Sequence, residues 1–178
     1  MEKIKMVALF LTLLVLLSGC DGYEKITLPY ADKGFECELC WVSEGINVRA
    51  VMKMGEPRSD GGDRDLSFLF SEPKALCGVK AERVSGIVSI SLGDMKIENA
   101  ELSGLMRIEE LFLSDGKIVS QTRTSFEGQD ASLIELERED GELIEIYLSS
   151  DGSPMKICGD IMGERQEVKI IRFYLGGV

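Results

Sequence analysis

The residues of this chain that could carry chemistry are first of all its five cysteines, of which Cys37 and Cys40 have the closest spacing. The pattern CELC has the spacing of a redox dithiol or of half a zinc site. A period-two apolar pattern over residues 35–41 places the two thiols on opposite faces of a strand, whereas a redox pair normally opens a helix. We therefore favour free buried thiols for Cys37, Cys40, Cys77 and Cys158, with one or two disulfides or a metal or redox site as alternatives.

Acid–base and nucleophilic catalysis lacks its usual residues in this chain. There is no histidine among the 178 residues, which removes the commonest general base and metal ligand. Carboxylates such as Glu109 and Glu110 fall at predicted strand edges and turns, where a solvated polar face explains them. Ser149 and Ser150 lack the GxSxG context of a nucleophile elbow. We predict no catalytic residue, no metal site and no cofactor, and hence a protein that is not an enzyme.

The N-terminus has the layout of a secretory signal, in which two lysines precede an uncharged apolar block at residues 6–17. The block is shorter than the roughly 20 apolar residues that a membrane-spanning helix needs. The sequence LSGC that ends at Cys20 closely resembles the lipobox of bacterial lipoprotein precursors. This resemblance implies cleavage before Cys20 and a diacylglyceryl group on its sulfur. The alternative is an ordinary buried cysteine at the end of an uncleaved anchor helix.

The lipobox resemblance predicts where the protein lies and how its chain is divided. Residues 1–19 are expected to be the signal peptide, 20–33 the lipidated cysteine and tether, and 34–178 a single domain. Two acyl chains of the palmitate type give a durable anchor, which predicts a lipid-anchored protein on the extracytoplasmic face of the cell membrane. Loss of residues 1–19 changes the formal charge from −11 to about −12. Such an acidic body, expected to be monomeric, argues against nucleic-acid binding.

Period-two alternation of apolar residues recurs along the rest of the chain and predicts a mainly β structure. Asp140-Gly141 and Asp151-Gly152 are typical hairpin corners. One helix is predicted over 101–113 and a helical turn over 71–78, and a shift of apolar phase near Ile171 predicts a bulge. The predicted strands cover residues 35–42, 46–54, 66–70, 86–92, 95–99, 117–126, 131–139, 142–149, 154–158 and 166–175.

Short links between so many strands predict a strongly curved antiparallel sheet with little helix to cover it. Such a sheet either closes into a barrel or leaves a cavity on its concave side. The run LSFLFSEPKALCG, the late strands GELIEIYLSSDGSPMKI and the terminal EVKIIRFY resemble the lipoprotein-carrier superfamily of the LolA, LolB and LppX type. The resemblance implies an α+β half-open β-barrel with a small helical lid and a hydrophobic cavity for acyl chains. The polar residue that gates the cavity in that family has no counterpart that we can place in this chain.

Two hypotheses follow for the apolar face of the sheet. In the first, the face binds a lipid-like ligand; in the second, the same residues fill a closed core, and strand edges or loops such as 56–64 bind another protein of the cell envelope. The predicted ligand-binding residues are Trp41, Met52, Met54, Phe68 and Phe70 as cavity wall and Leu105, Met106 and Phe112 as lid.

Overall fold

The computed structural model describes residues 28–100, 107–112 and 116–176, and within them it forms one antiparallel sheet of eleven strands. A single helical turn, α1 (Glu109–Phe112), accompanies the sheet in the described part of the chain. The mainly β, α+β fold class is therefore confirmed. The strands are β1 (Phe35–Ser43), β2 (Ile46–Met54), β3 (Leu66–Glu72), β4 (Lys80–Val84), β5 (Ile87–Leu92), β6 (Met95–Glu98), β7 (Lys117–Phe126), β8 (Gln129–Glu137), β9 (Leu143–Ser149), β10 (Pro154–Ile161) and β11 (Glu164–Leu175).

The strand order places the first and last strands, β1 and β11, at the centre of the sheet. The order is β6-β5-β4-β3-β2-β1-β11-β10-β9-β8-β7, so the first half of the chain meanders outward from β1 and the second half meanders back to β11. Strands β6 and β7 form the two edges. The link between β6 and β7 must therefore pass from one edge of the sheet to the other, and it contains α1.

The predicted hairpin corners and the predicted bulge are confirmed. Gly141 and Gly152 have φ values of +84° and +82°, which glycine adopts without steric cost. In the β1–β11 pairing, Leu39 lies opposite Ile170 and Glu38 opposite Arg172, so Ile171 is the extra residue of a bulge. Local turn chemistry and apolar phase were thus sufficient to predict these features.

Several element boundaries differ from those predicted. Strand β4 was not predicted, because KAERV contains only two apolar residues. Residues 73–78 form hydrogen-bonded turns, in which the amide of Leu76 donates to the carbonyl of Pro73, rather than a helix. Of the helix predicted over 101–113, the described residues contain only the turn 109–112; residues 101–106 and 113 lie outside the described part.

The core lies on one face of the sheet, which we call the concave face. We call the two parts of the sheet on either side of the central β1–β11 pair its wings; they are β2–β6 and β7–β10. Buried side chains from β1 to β4 and from β8 to β11 belong to a single apolar cluster, so the two wings must curve toward each other. Residues Leu28 and Tyr30, which precede β1, join the same cluster. The alternating burial of β1, with Phe35, Cys37, Leu39 and Trp41 all inward, is the pattern that the sequence predicts.

The α1 turn packs on the concave face between the two wings. A Cβ built on Gly159 of β10 would lie 2.7 Å from Cδ2 of Leu111 and 3.0 Å from Cγ1 of Ile144. The ring of Phe112 lies 5.6 Å from that of Phe35, between centroids. The absence of a side chain at Gly159 therefore lets Leu111 reach the backbone of the sheet.

We expect Gly159→Ala to lower the free energy of unfolding by about 1–3 kcal/mol, because the added methyl group overpacks the contact with Leu111. Urea denaturation followed by circular dichroism measures this loss. Gly55→Ala is the matched control, since a Cβ there meets Asp65 only at the ordinary distance of 3.4 Å. Equal losses in the two variants would show that α1 does not pack against Gly159.

Within the part of the chain that the structure describes, no helix is long and apolar enough to cross a membrane.

Candidate functional site

The described part of the predicted ligand site lies together on the concave face. Register places Met52 opposite Phe68, and the rings of Phe68 and Phe70 stack with centroids 6.0 Å apart. The centroid of the Trp41 ring system lies 6.5 Å from that of Phe70. All five predicted wall residues are at most 4% exposed and belong to the core cluster, so they contact one another and their neighbours rather than solvent.

The predicted lid is described only in part. Phe112 is buried in the core cluster, where it packs against Phe35. Leu105, Met106 and the predicted lipidation site Cys20 lie outside the described residues. The roles of the eight residues in ligand binding therefore stay predictions, although the five described strand residues share one face of the sheet and Phe112 of α1 joins the same core cluster.

An aromatic cluster at one end of the core surrounds a buried hydroxyl group. The ring of Tyr30 lies 5.7 Å from both Phe35 and Phe173 and 6.4 Å from Phe112, in edge-to-face arrangements. Within the described residues, its Oη has no hydrogen-bond partner. Burial raises the pKa of Tyr30 well above its ordinary value, and the nearby Cys37 thiol adds to this effect. The cluster is thus apolar in character despite the hydroxyl.

A buried ion pair connects α1 to strand β4 of the sheet. Arg83 of β4 donates two parallel hydrogen bonds to the Glu109 carboxylate, at 2.5 and 2.7 Å, and also contacts the carbonyl of Arg64 at 3.2 Å. Burial raises the pKa of Glu109, and the bonds from Arg83 oppose that shift. The prediction of a solvated Glu109 was therefore wrong. Glu109 is 8% exposed, and its carboxylate anchors the helical turn.

The apolar concave face continues beyond the packed core, onto the wing formed by β5 and β6. A row of paired residues crosses four strands on this face: Phe68, Ala81, Ile90 and Ile97. The first two are buried, Ile90 is partly exposed, and Ile97 at the edge is 64% exposed. The adjacent pair Leu92 and Met95 is 45% and 69% exposed. We call Leu92, Met95 and Ile97 the edge strip.

A polar pocket lies on the other wing, at the β7–β8 hairpin. Its volume is about 430 Å3, and its lining combines one guanidinium, one carboxylate and three hydroxyl groups. The lining residues are Arg123, Thr124, Asp130, Ala131, Ser132 and Ser150. This pocket contains none of the predicted ligand-site residues. Its composition suits a polar group rather than an acyl chain.

The described cysteines are free thiols, with Cys37 and Cys158 buried, Cys40 partly exposed and Cys77 exposed. Burial raises the pKa of Cys37 and of Cys158, which disfavours the nucleophilic thiolate form of both. Cys37 faces the core and Cys40 the opposite side of β1, as the period-two argument predicts. No group of three or more potential metal ligands occurs within residues 28–100, 107–112 and 116–176.

Comparison with known proteins relates the chain to solved structures only. No protein-family profile and no curated protein sequence matches it. An uncharacterized conserved protein from Thermus thermophilus is 12% identical with a TM-score of 0.50, and the match covers 83% of this chain and 81% of that one. At this identity the likeness shows a shared fold alone.

Two further solved structures have lower TM-scores. MucB in the Pseudomonas aeruginosa MucA/MucB complex is 18% identical with a TM-score of 0.46, and 84% of this chain matches 55% of that one, so the chain spans about half of MucB. A LolA superfamily protein from Nitrosomonas europaea is 10% identical with a TM-score of 0.40, and the match covers 85% and 90% of the two chains.

Sequence reasoning did not find the Arg83–Glu109 pair, the edge strip or the polar pocket. The position of Glu109 between Ile108 and Leu111 was a usable signal, because a charge within an apolar segment often has a buried partner. The alternation of Met95 and Ile97 with lysine and glutamate predicted an apolar face, but alternation does not say whether that face is covered. No local signal brings Ser150 to Arg123.

Proposed function

We propose that this protein is a lipid-anchored lipoprotein on the extracytoplasmic face of the cell membrane that binds a hydrophobic ligand of the acyl-chain type on its concave face. The observation that carries the proposal is the continuity between the packed core and the exposed edge strip. Exposed apolar surface next to a core is unfavourable in water, and contiguous patches of this kind mark ligand or partner sites.

The sequence supports the same proposal independently. The LSGC that ends at Cys20 resembles a lipobox, which supports a position beside a membrane, where acyl chains are the abundant apolar ligands. The carrier-superfamily resemblance also implies an acyl-chain ligand for this face of the sheet. The acidic composition makes nucleic acid an unsuitable partner.

Native mass spectrometry tests the proposal. The mature chain from residue 20, carrying Cys20→Ser so that no acyl group is attached, is purified from cells and then extracted with organic solvent. We expect a bound mass that extracts as a lipid. A clean protein mass that also resists loading with fatty acids or phospholipids would reject the proposal.

A matched pair of double variants locates the binding surface. The first double variant, Met95→Ser with Ile97→Thr, removes apolar area from the edge strip. The control double variant, Val84→Thr with Ile87→Thr, removes apolar area from two paired residues of similar exposure on the opposite face of the sheet. Burying one apolar side chain contributes about 1.5–3 kcal/mol, so we expect the first double variant to weaken lipid binding about tenfold or more. The control double variant should bind lipid as tightly as the unchanged chain does.

A second function is favoured by the packing of the predicted cavity wall. Because Met52, Met54 and Phe68 are fully buried, the interior is filled in this state, which suits a protein that binds an envelope partner through an edge of its sheet. Strand β6, with the edge strip beside it, has no neighbouring strand on its outer side within the described sheet. A clean protein mass in the experiment above, together with capture of a defined envelope protein that requires Met95 and Ile97, would favour this function.

A further inference from the structure

The polar pocket on the β7–β8 hairpin holds a cation and an anion that do not neutralise each other. In the described part of the chain, neither Arg123 nor Asp130 forms an ion pair or a side-chain hydrogen bond. By contrast, Arg49, Arg83 and Arg165 each lie within 2.6 Å of a carboxylate oxygen. A ligand of this pocket can therefore use both charges without breaking an existing bond.

The pocket is built from three parts of the fold. Arg123 pairs with Ser132, and Thr124 with Ala131, in the β7–β8 register. Ser150 comes from the turn between β9 and β10, which the hydrogen bond from the amide of Gly152 to the carbonyl of Ser149 closes. Arg123, Ser132 and Asp130 lie on one face of the hairpin and Thr124 on the other, so the hydroxyl groups of Ser132 and Ser150 can donate to oxygen atoms of a ligand at Arg123. A guanidinium with several hydroxyls is a usual environment for a phosphate group, and a carboxylate for an ammonium group.

The start of the described chain lies beside this pocket. A Cβ built on Gly152 would lie 2.9 Å from Cγ of Pro29, so Pro29 packs against the same turn that contributes Ser150. Leu28 is eight positions after Cys20 in the sequence, and eight residues span at most roughly 28 Å. If Cys20 is lipidated, this tether keeps the pocket near the headgroup layer of the membrane.

We infer that the pocket formed by Arg123, Asp130, Ser132 and Ser150 binds the zwitterionic headgroup of a phospholipid, with the phosphate at Arg123 and the two hydroxyl groups and with the ammonium group at Asp130. The location of this ligand rests on the proposed membrane anchoring, whereas the chemistry of the pocket does not. One positive and one negative side chain select a dipolar headgroup over one that carries only negative charge. Such a site would orient the anchored domain on a membrane without the basic surface that anionic lipids require.

Equilibrium dialysis with water-soluble headgroups tests the inference. The full lipidated chain is purified in a maltoside detergent and dialysed against radiolabelled glycerophosphoethanolamine, glycerophosphoglycerol or inorganic phosphate. We expect saturable binding of glycerophosphoethanolamine and at least tenfold weaker binding of the other two. Absence of saturable binding of glycerophosphoethanolamine at millimolar concentrations would overturn the inference.

Charge-removing variants then test the two roles separately. Arg123→Gln and Asp130→Asn should each weaken the binding of glycerophosphoethanolamine at least tenfold. The same exchanges at Arg172 and Asp94, which are exposed as Arg123 and Asp130 are but lie outside the pocket, should not. Only Arg123→Gln should weaken the binding of inorganic phosphate. Asp130→Asn should not, because it removes a negative charge that repels an anion in the pocket. If Asp130→Asn strengthens the binding of every ligand, the pocket is an anion site and the assignment to a zwitterionic headgroup is wrong.

The result is separable from that of the acyl-chain test. Lipid in the mass spectrum with no headgroup binding in dialysis would reject only the headgroup pocket. Headgroup binding with a clean protein mass would reject only the acyl-chain site.

Discussion

Arg83→Met is expected to lower the free energy of unfolding by about 3–5 kcal/mol at pH 7, because it leaves the buried Glu109 carboxylate without its partner. Arg83 also donates to the carbonyl of Arg64, and that bond is lost as well. Since Glu109 attaches α1 to β4, we expect the turn to lose its position between the two wings. Urea denaturation at several pH values measures the loss.

The loss at Arg83 should depend on pH with a definite sign. Burial already raises the pKa of Glu109 in the folded protein, and removal of Arg83 raises it further. The folded state then binds a proton more tightly than the unfolded state, so the stability of the variant falls as the pH rises through the window between the unfolded and folded pKa values. The deficit relative to the unchanged protein should therefore be greatest at pH 7 and smaller near pH 4.5.

Two further variants make this prediction specific. Arg165→Met breaks the exposed ion pair with Glu145, in which Nη2 of Arg165 lies 2.6 Å from Oε1 of Glu145. It should lower the free energy of unfolding by less than about 1 kcal/mol. Adding Glu109→Gln to Arg83→Met removes the buried charge, so the double variant should recover stability and lose the pH dependence. A deficit that is the same at every pH, and that the second substitution does not reduce, would contradict the buried-charge explanation.

Phe68→Ala is expected to lower the free energy of unfolding by about 3–5 kcal/mol, because it removes a large side chain from a filled region of the core. Phe68 is fully buried between its cross-strand neighbours Met52 and Ala81 and stacks on Phe70. Thermal and urea unfolding measure the effect. Leu69→Ala is the matched control on the same strand, since Leu69 points to the opposite face and is about half exposed.

The size of the Phe68 effect also distinguishes the two hypotheses for the concave face. In a filled interior the variant leaves a new cavity, and the full loss is expected. A loss no greater than that of Leu69→Ala would mean that Phe68 borders space that is already open, as the acyl-chain cavity requires. The filled core of this state would then be rejected in favour of an open one.

The two wings of the sheet have different chemistry. The β5–β6 wing carries apolar surface at its edge, whereas the β7–β8 wing carries a pocket with both charges and hydroxyls. The α1 turn lies between the wings and contacts β4 through Glu109 and β10 through Leu111. An amphipathic ligand with an apolar chain and a dipolar headgroup therefore matches the chemistry of both proposed sites, and the two binding experiments ask whether each half is recognised.

The sequence by itself determined the fold class, most strands and the hairpin corners. These features depend on local information, namely the period-two alternation in stretches such as 46–54 and the positive φ that Asp-Gly corners need. The same alternation placed Met52, Met54 and Phe68 correctly on one face. The bulge at Ile171 was predictable because a one-residue insertion shifts the apolar phase along the strand.

Only the tertiary structure decided which parts of that face are covered and which polar groups meet. Alternation is equally strong in β2, which is buried, and in β6, which is exposed, because burial depends on what packs against a strand and not on the strand itself. Arg83 meets Glu109 across 26 positions of sequence, and Ser150 joins Arg123 through the pairing of separate hairpins. Such contacts depend on the curvature and order of eleven strands, which no single segment of the chain encodes.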